Sequence, residues 1–233
     1  MFLREVDDAL REDEMLGLAK RYGKPIGAAV ALGLAALAGY LWWDNHEKAA
    51  ADTRGEQFTI ALDRVEAGSP ASLAAAGKLL VPLAKDDAGG TSAAARMLQA
   101  GIALKQGHAQ QAARMFGAVA ADAKAPQPFR DLATIRQVAV EFDSMAPQQV
   151  VDKLKPLAVP GNAWFGNAGE LLGIAYLKQG KAELAGPLFA AIARDKEAPD
   201  SLRRRARQMA GLLGVDAVDD PEKTLREDNG QPQ

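Results

Sequence analysis

The stretch Leu171–Pro199, LLGIAYLKQGKAELAGPLFAAIARDKEAP, is the part of the sequence that decides the fold, because a related copy precedes it. Leu98–Pro126 aligns with it without a gap at a shift of 73 residues. Both copies share Leu-Lys-Gln-Gly, an alanine, a phenylalanine and the final proline at matching positions. A fixed period of this kind is typical of repeat proteins, in which each unit buries its faces only against its neighbours.

The spacing of the two copies predicts further units. A shift of 73 residues is about two lengths of a 34-residue helical repeat plus slack, so one degenerate unit, Arg130–Val159, fits between the copies and another, Glu47–Lys85, fits before them. Segments rich in Ala, Leu, Gln, Lys and Glu separate the Gly and Pro breaks, and strand patterns are nearly lacking. We therefore predict an all-α solenoid of about four helix pairs.

Asp200–Leu213, DSLRRRARQMAGLL, follows the later copy and combines an apolar stripe with four arginines. Terminal repeats need one polar outer face, so we predict that this segment is a capping helix. The alternative is that the arginines between Arg203 and Arg207 form a docking patch for an anionic partner.

The later copy resembles a tetratricopeptide repeat. Small residues at helix crossings, an aromatic residue in each helix and a glycine at the turn have the spacing that this family uses. These are Gly173, Tyr176, Gly180, Ala185 and Phe189, of which Gly107, Ala112 and Phe116 recur in the earlier copy. The resemblance implies helix pairs whose first helices line a concave surface, with Phe116, Tyr176 and Phe189 packed inward.

A second decisive stretch is Ile26–Trp43, IGAAVALGLAALAGYLWW, which contains no charged residue in 18 positions. As a helix it covers roughly 27 Å, close to the roughly 30 Å hydrocarbon core of a bilayer, and Pro25 suits a first helical turn. We predict a transmembrane helix over residues 25–43. The alternatives are a buried core helix and a signal peptide cleaved near Ala49–Ala51, but the acidic segment before the run and the aromatic residues at its end favour a retained span.

The basic residues around this run predict its orientation. Lys20, Arg21 and Lys24 crowd its beginning, whereas Lys48 and Arg54 follow its end at greater distance. The side richer in Lys and Arg stays in the cytoplasm. We expect a single-pass inner-membrane protein with a cytoplasmic segment 1–24, a periplasmic tetratricopeptide-repeat-like domain 44–215 and a polar, disordered tail 216–233.

Small residues recur along one face of the predicted transmembrane helix. Ala31, Ala35 and Gly39 are spaced four residues apart, and such a face allows close packing of another transmembrane helix. The alternative is an Ala-rich helix in which this spacing occurs by chance.

The sequence contains no pattern typical of an enzyme or a cofactor site. A formal net charge of −2 gives no general attraction to nucleic acid. Cysteine does not occur, and His46 and His108 are far apart and belong to no metal-binding spacing. Phosphate-binding, dinucleotide and nucleophile motifs are not found. We expect no catalytic residue, cofactor, metal or small-molecule substrate.

The acidic N-terminal segment, the run ending in Tyr40-Leu41-Trp42-Trp43 and the stretch Leu171–Lys181 together resemble the ancillary SecYEG translocon subunit family, the YfgM-like proteins. This resemblance implies a periplasmic repeat domain that associates with the SecYEG translocon and with a PpiD-like chaperone, helping exported proteins to mature. The alternatives are a general envelope scaffold with other partners and an enzyme whose site is hidden in the solenoid.

Repeat geometry predicts the contact residues, because first helices of such pairs line the concave surface. The predicted set is Met97, Lys105, Asn167, Glu170 and Lys178. Lys105 and Lys178 occupy equivalent positions and suggest a basic rail for an acidic or extended partner. The alternative is that these lysines are only solvated.

Overall fold

The computed structural model describes residues 40, 43, 46, 48, 51–85 and 89–217. The predicted cytoplasmic segment 1–24, most of the predicted span 25–43 with Ala31, Ala35 and Gly39, and residues 218–233 lie outside the described residues. Tyr40 and Trp43 are helical and exposed. Within the described part of the chain, no helix is both long and apolar enough to cross a bilayer. The chain divides into two compact units, Met1–Glu56 and Gln57–Gln233.

All regular structure in the described residues is helical, which confirms the all-α class. The helices are α1 (51–67), α2 (Pro70–Lys85), α3 (Gly90–Lys105), α4 (Ala109–Ala121), α5 (Gln127–Glu141), α6 (Pro147–Leu154), α7 (Phe165–Lys178), α8 (Ala182–Arg194) and α9 (Asp200–Leu212). Local sequence explains several starts. Ser69 accepts a hydrogen bond from the Ser72 N–H at 3.1 Å, and proline occupies the first position of α2 and α6, where its missing N–H costs nothing.

Consecutive helices pack against each other from α2 to α9, and the first helices α3, α5 and α7 also contact one another in order. Each helix therefore buries its apolar face against near neighbours in sequence, as a solenoid requires. Short turns join α3 to α4 and α7 to α8. Gly107 and Gly180 adopt φ angles of 83° and 73° in these turns, a left-handed conformation that glycine tolerates and that ends a helix sharply.

The backbone repeats with the period predicted from the sequence. The N–H of His108 donates to the Ala103 carbonyl and the N–H of Lys181 donates to the Tyr176 carbonyl, both at 2.9 Å. Helices α4 and α8 begin and end at equivalent residues, and α5 and α9 begin at equivalent residues. These matches confirm the register of 73 residues.

Small residues on α7 allow the neighbouring helices to approach closely. An added Cβ at Gly166 would lie 2.6 Å from Leu202 Cδ2, and one at Gly173 would lie 2.6 Å from Phe189 Cζ. The Phe189 side chain is fully buried as a result, and Phe116 is buried in the equivalent position of α4. Both phenylalanines are therefore core anchors, as the sequence predicts.

Helix α9 closes the solenoid. Leu202, Ala206 and Ala210 are buried in the same core cluster as Phe189, while arginines occupy the remaining faces. After α9 the chain turns back along α8. An added Cβ at Gly186 would lie 2.7 Å from Val215, so the chain packs directly on that glycine.

Candidate partner-binding groove

The candidate site is an open groove between α5 and α7, the first helices of two adjacent pairs. Its volume is about 230 Å³. Seven residues line it: Leu132, Ile135, Arg136 and Ala139 from α5, and Asn167, Glu170 and Leu171 from α7. These positions follow the i, i+3, i+4, i+7 spacing in α5 and the i, i+3, i+4 spacing in α7, so each set forms one continuous helical face.

The floor of the groove is apolar. Ile135 is buried in a core cluster, and Leu132 and Leu171 are half-buried. Half-buried aliphatic side chains between two helices offer surface that a ligand's apolar side chain can remove from water, at about 25 cal/mol per Å². The floor therefore offers apolar surface on which an apolar side chain can pack.

The rim of the groove is polar and carries a cation. Arg136 and Asn167 are both exposed, and neither makes a hydrogen bond or ion pair with the described part of the chain. A guanidinium group binds a carboxylate with charge-assisted hydrogen bonds, and an asparagine amide can pair with a peptide group as donor and acceptor. The rim thus presents hydrogen-bonding groups that are available to a ligand.

Glu170 is the acidic residue of the groove, and an arginine of α9 neutralises it. Arg205 Nε and Nη2 donate to the two carboxylate oxygens of Glu170 at 2.8 and 2.9 Å. This bidentate hydrogen bonding raises the pKa of Arg205. The pair links α7 to α9, so Glu170 lines the groove and also holds the capping helix in place.

The two lysines of the predicted rail lie at the ends of α3 and α7, beyond the groove. Lys105 Nζ donates to the Val65 carbonyl at 3.2 Å. Lys178 Nζ lies 3.1 Å from Asp143 Oδ1 and 4.5 Å from the centre of the Phe142 ring. Each lysine therefore contacts the end of the first helix of the preceding pair, which is α1 for Lys105 and α5 for Lys178. This contact is a further similarity between the two copies.

The structure places the five predicted residues in three settings. Asn167 and Glu170 line the groove, Lys105 and Lys178 are exposed at helix ends, and Met97 is half-buried against two core clusters. No observation tests whether any of them binds a partner, so their role stays a prediction.

Sequence reasoning missed Leu132 and Arg136 as groove residues. The unit that contains α5 is too degenerate to align with the other copies, so its faces could not be assigned from the repeat. The available signal is the spacing of Leu132, Arg136 and Ala139 on one face of the segment after Pro128. That spacing alone does not reveal which neighbouring helix the face meets.

A second concave region of about 220 Å³ lies where α2, α3 and the α4–α5 turn meet. It contains an ion pair in which Arg96 Nη1 lies 2.7 Å from Asp122 Oδ2. The Arg96 hydrogen bond, together with a hydrogen bond from the Lys124 N–H, holds the pKa of Asp122 below its ordinary value of 3.8. Buried Ser92 donates to the Ala84 carbonyl, so the polar groups of this region mainly join neighbouring elements.

Metal binding has no candidate site in the residues that the structure covers, since they contain no group of three or more His, Cys, Asp or Glu side chains placed to hold an ion. His108 precedes α4 and is exposed, and His46 is exposed as well. Neither histidine lines the groove.

Comparison with known proteins gives one match. A family model described as a tetratricopeptide repeat-like domain matches residues 19–208. Searches of the curated proteins and of the solved structures gave no significant match. The matched region covers most of the chain and includes the apolar run Ile26–Trp43 as well as α1 to α8.

Proposed function

The chain belongs to the tetratricopeptide repeat-like domain family, and we propose that it is a membrane-anchored module that binds partner proteins in the α5–α7 groove. Membership of this family supports a general role in protein binding. The observation that carries the proposal for this groove is its combination of an apolar floor with the uncommitted polar groups of Arg136 and Asn167.

The chemistry of the groove favours an extended segment of a partner. An apolar side chain of that segment would pack on Leu132 and Leu171, its backbone would pair with the Asn167 amide, and an acidic side chain would pair with Arg136. Each contact alone is modest, since a hydrogen bond to a charged group contributes about 1.5–3 kcal/mol. Together they provide both affinity and a preference for acidic-apolar segments.

The proposed location is the periplasmic side of the inner membrane. The uncharged run of 18 residues and the basic residues before it support an anchor with a cytoplasmic N-terminus. The family match begins at residue 19, which supports the run as a regular part of this architecture rather than a cleaved leader. The resemblance to YfgM-like proteins favours the SecYEG translocon and a PpiD-like chaperone as partners, with a general envelope scaffold as the alternative.

Co-purification from membranes in mild detergent tests the groove. Arg136→Glu should abolish recovery of the bound partners, because it reverses the only cation of the groove rim that is not already paired among the described residues. Arg114→Glu is the matched control, since Arg114 is exposed on α4 outside the groove. Equal recovery of partners with both variants would refute groove binding, and the absence of translocon and PpiD-like proteins from the wild-type sample would favour the scaffold.

Reporter fusions test the topology. A reporter active only outside the cytoplasm should work after Leu213, and one active only inside should work at the N-terminus. The opposite activities would overturn the proposed location, and a soluble mature domain would indicate cleavage near Ala51.

The two lysines offer a second test of the inner surface. Reversing both Lys105 and Lys178 to Glu should weaken capture of an acidic partner in a salt-dependent manner. Folding should change little, since these charges are exposed and such pairs contribute about 0–1 kcal/mol. Unchanged capture would remove the lysines from the binding surface and leave the groove and the Ala31, Ala35 and Gly39 face as the candidate contacts.

A further inference from the structure

We propose that residues 218–233 of the same chain bind in the α5–α7 groove and compete there with partner proteins. This inference rests on the groove being the binding surface proposed above. Its basis is the position at which the described chain ends, the length of the segment that follows, and the charges of that segment and of α9.

The chain leaves its last described residues beside the helix pair that forms one wall of the groove. Val215 packs on Gly186, and the Asp216 carbonyl accepts a hydrogen bond from Arg194 Nη2 at 2.8 Å. Residues 215–216 therefore run along α8 in the direction of its C-terminal end. That end of α8 lies beside the first turns of α7, because an added Cβ at Gly169 would be 2.9 Å from Ile192 Cδ1.

The first turns of α7 carry Asn167 and Glu170, the two residues that α7 contributes to the groove rim. The segment after Ala217 contains 16 residues, which span at most about 50 Å when extended at roughly 3.3 Å per residue. A helix is about 10 Å across, so this length is sufficient to pass around the end of the α7–α8 pair and reach the opposite side of α7.

Charge favours this occupant. Residues 218–233, VDDPEKTLREDNGQPQ, contain five acidic and two basic side chains. Helix α9, which is held to α7 by Arg205, contains four arginines. Arg203 pairs with Asp200 and Arg205 pairs with Glu170, so the arginines exceed these two carboxylates by two. Arg136 adds a further cation on the rim of the groove. This excess of positive charge attracts a negatively charged segment toward the groove.

The sequence of this segment also matches the chemistry of the groove. Leu225 lies eight residues beyond Ala217, far enough along the segment to reach the groove at roughly 3.3 Å per residue, and is followed closely by Glu227. Leu225 can pack on Leu132 and Leu171 while the Glu227 carboxylate pairs with Arg136. The segment thus has the acidic-apolar pattern that the groove favours in an external partner.

Fluorescence anisotropy with a labelled synthetic peptide of residues 218–233 tests the proposal. The protein in detergent, ending at Ala217, should bind this peptide at least about tenfold more tightly than the full chain, in which the tethered copy already occupies the groove. Arg136→Glu in the shortened protein should weaken binding about tenfold or more, and binding should decrease with added salt. Arg114→Glu should leave the affinity unchanged.

Equal peptide affinity of the shortened and full-length proteins, or no binding by either, would overturn the proposal, as would a loss of affinity with Arg114→Glu equal to that with Arg136→Glu. Circular dichroism of each variant shows whether it remains folded. Failure here is distinguishable from failure of groove binding: partner recovery that still depends on Arg136 would retain the proposed function without the intramolecular contact. Conversely, peptide binding without any Arg136-dependent partner would retain the intramolecular contact and overturn the proposed partner binding.

Discussion

The α3–α4 and α7–α8 pairs follow the same backbone path with different side chains at their contacts. In α7–α8, Gly169 and Gly173 allow Ile192 and Phe189 to pack directly on the α7 backbone. In α3–α4 the residues equivalent to these glycines are Arg96 and Ala100. Arg96 extends to Asp122 and forms an ion pair. The equivalent of Arg96 is a glycine, and Asp195, the equivalent of Asp122, accepts a hydrogen bond from the Glu197 N–H at 3.1 Å instead.

This difference shows that the fold depends on the turns and on one large apolar anchor in each second helix more than on any particular contact beneath it. The glycine turns and the two phenylalanines are common to both pairs. Apart from the turn and the phenylalanine, the α7–α8 pair has close helix packing at its glycines, whereas Arg96 of the α3–α4 pair forms an ion pair with Asp122. Substitutions at equivalent positions should therefore have unequal effects.

Phe189→Ala should have the largest effect on stability. The ring is fully buried beside Gly173, so its removal should lower the free energy of unfolding by about 3–5 kcal/mol. Phe116→Ala should fall at the lower end of that range, because the ring retains slight exposure and packs in a smaller cluster. Chemical denaturation measures both losses. A loss below about 1 kcal/mol for Phe189→Ala would contradict the role of Phe189 as the buried anchor of α8. Leu184→Ala, at an exposed position of α8, is the control.

Gly173→Ala should lower the stability of the protein by an intermediate amount. The added methyl group would overlap the buried Phe189 ring, and such overpacking costs about 1–3 kcal/mol. The reciprocal change Ala100→Gly should cost about 1 kcal/mol through lost helix propensity. If Gly173→Ala were stabilising in thermal denaturation, α7 and α8 would not be as close as the structure shows.

Asp122→Asn should have the smallest effect, and that effect should depend on pH. The folded-state pKa of Asp122 is lowered by Arg96, so its contribution to stability is present above pH 3.8 and is lost as the pH falls through the folded-state pKa. The variant should be less stable than wild type at pH 7, and the difference should disappear in acid. Asp195→Asn, which removes a carboxylate that accepts from the Glu197 N–H and not from an arginine, should lower the melting temperature at pH 7 by less than Asp122→Asn does. An equal decrease would contradict the distinct roles of the two aspartates.

The sequence was sufficient for the repeat and insufficient for the groove. The shift between the copies follows from local signals such as the turn glycines and the two phenylalanines, and these fix the helix boundaries. The predicted capping helix is also present, because its apolar stripe is a local pattern. Contacts between helices that are not consecutive, such as the one from Arg205 of α9 to Glu170 of α7, join residues that are distant in sequence. The groove also depends on how the degenerate α5 unit aligns with its neighbours, which no local pattern specifies.

Site-specific photo-crosslinking tests the central claim, that partners bind in the α5–α7 groove, most directly. A photoreactive amino acid would replace Asn167 in the groove or, as the control, Ala118, which is exposed on α4. The account predicts partner crosslinks from position 167 that Arg136→Glu abolishes, and few or none from position 118. Equal crosslinking from both positions, or crosslinks from position 167 that persist with Arg136→Glu, would contradict it.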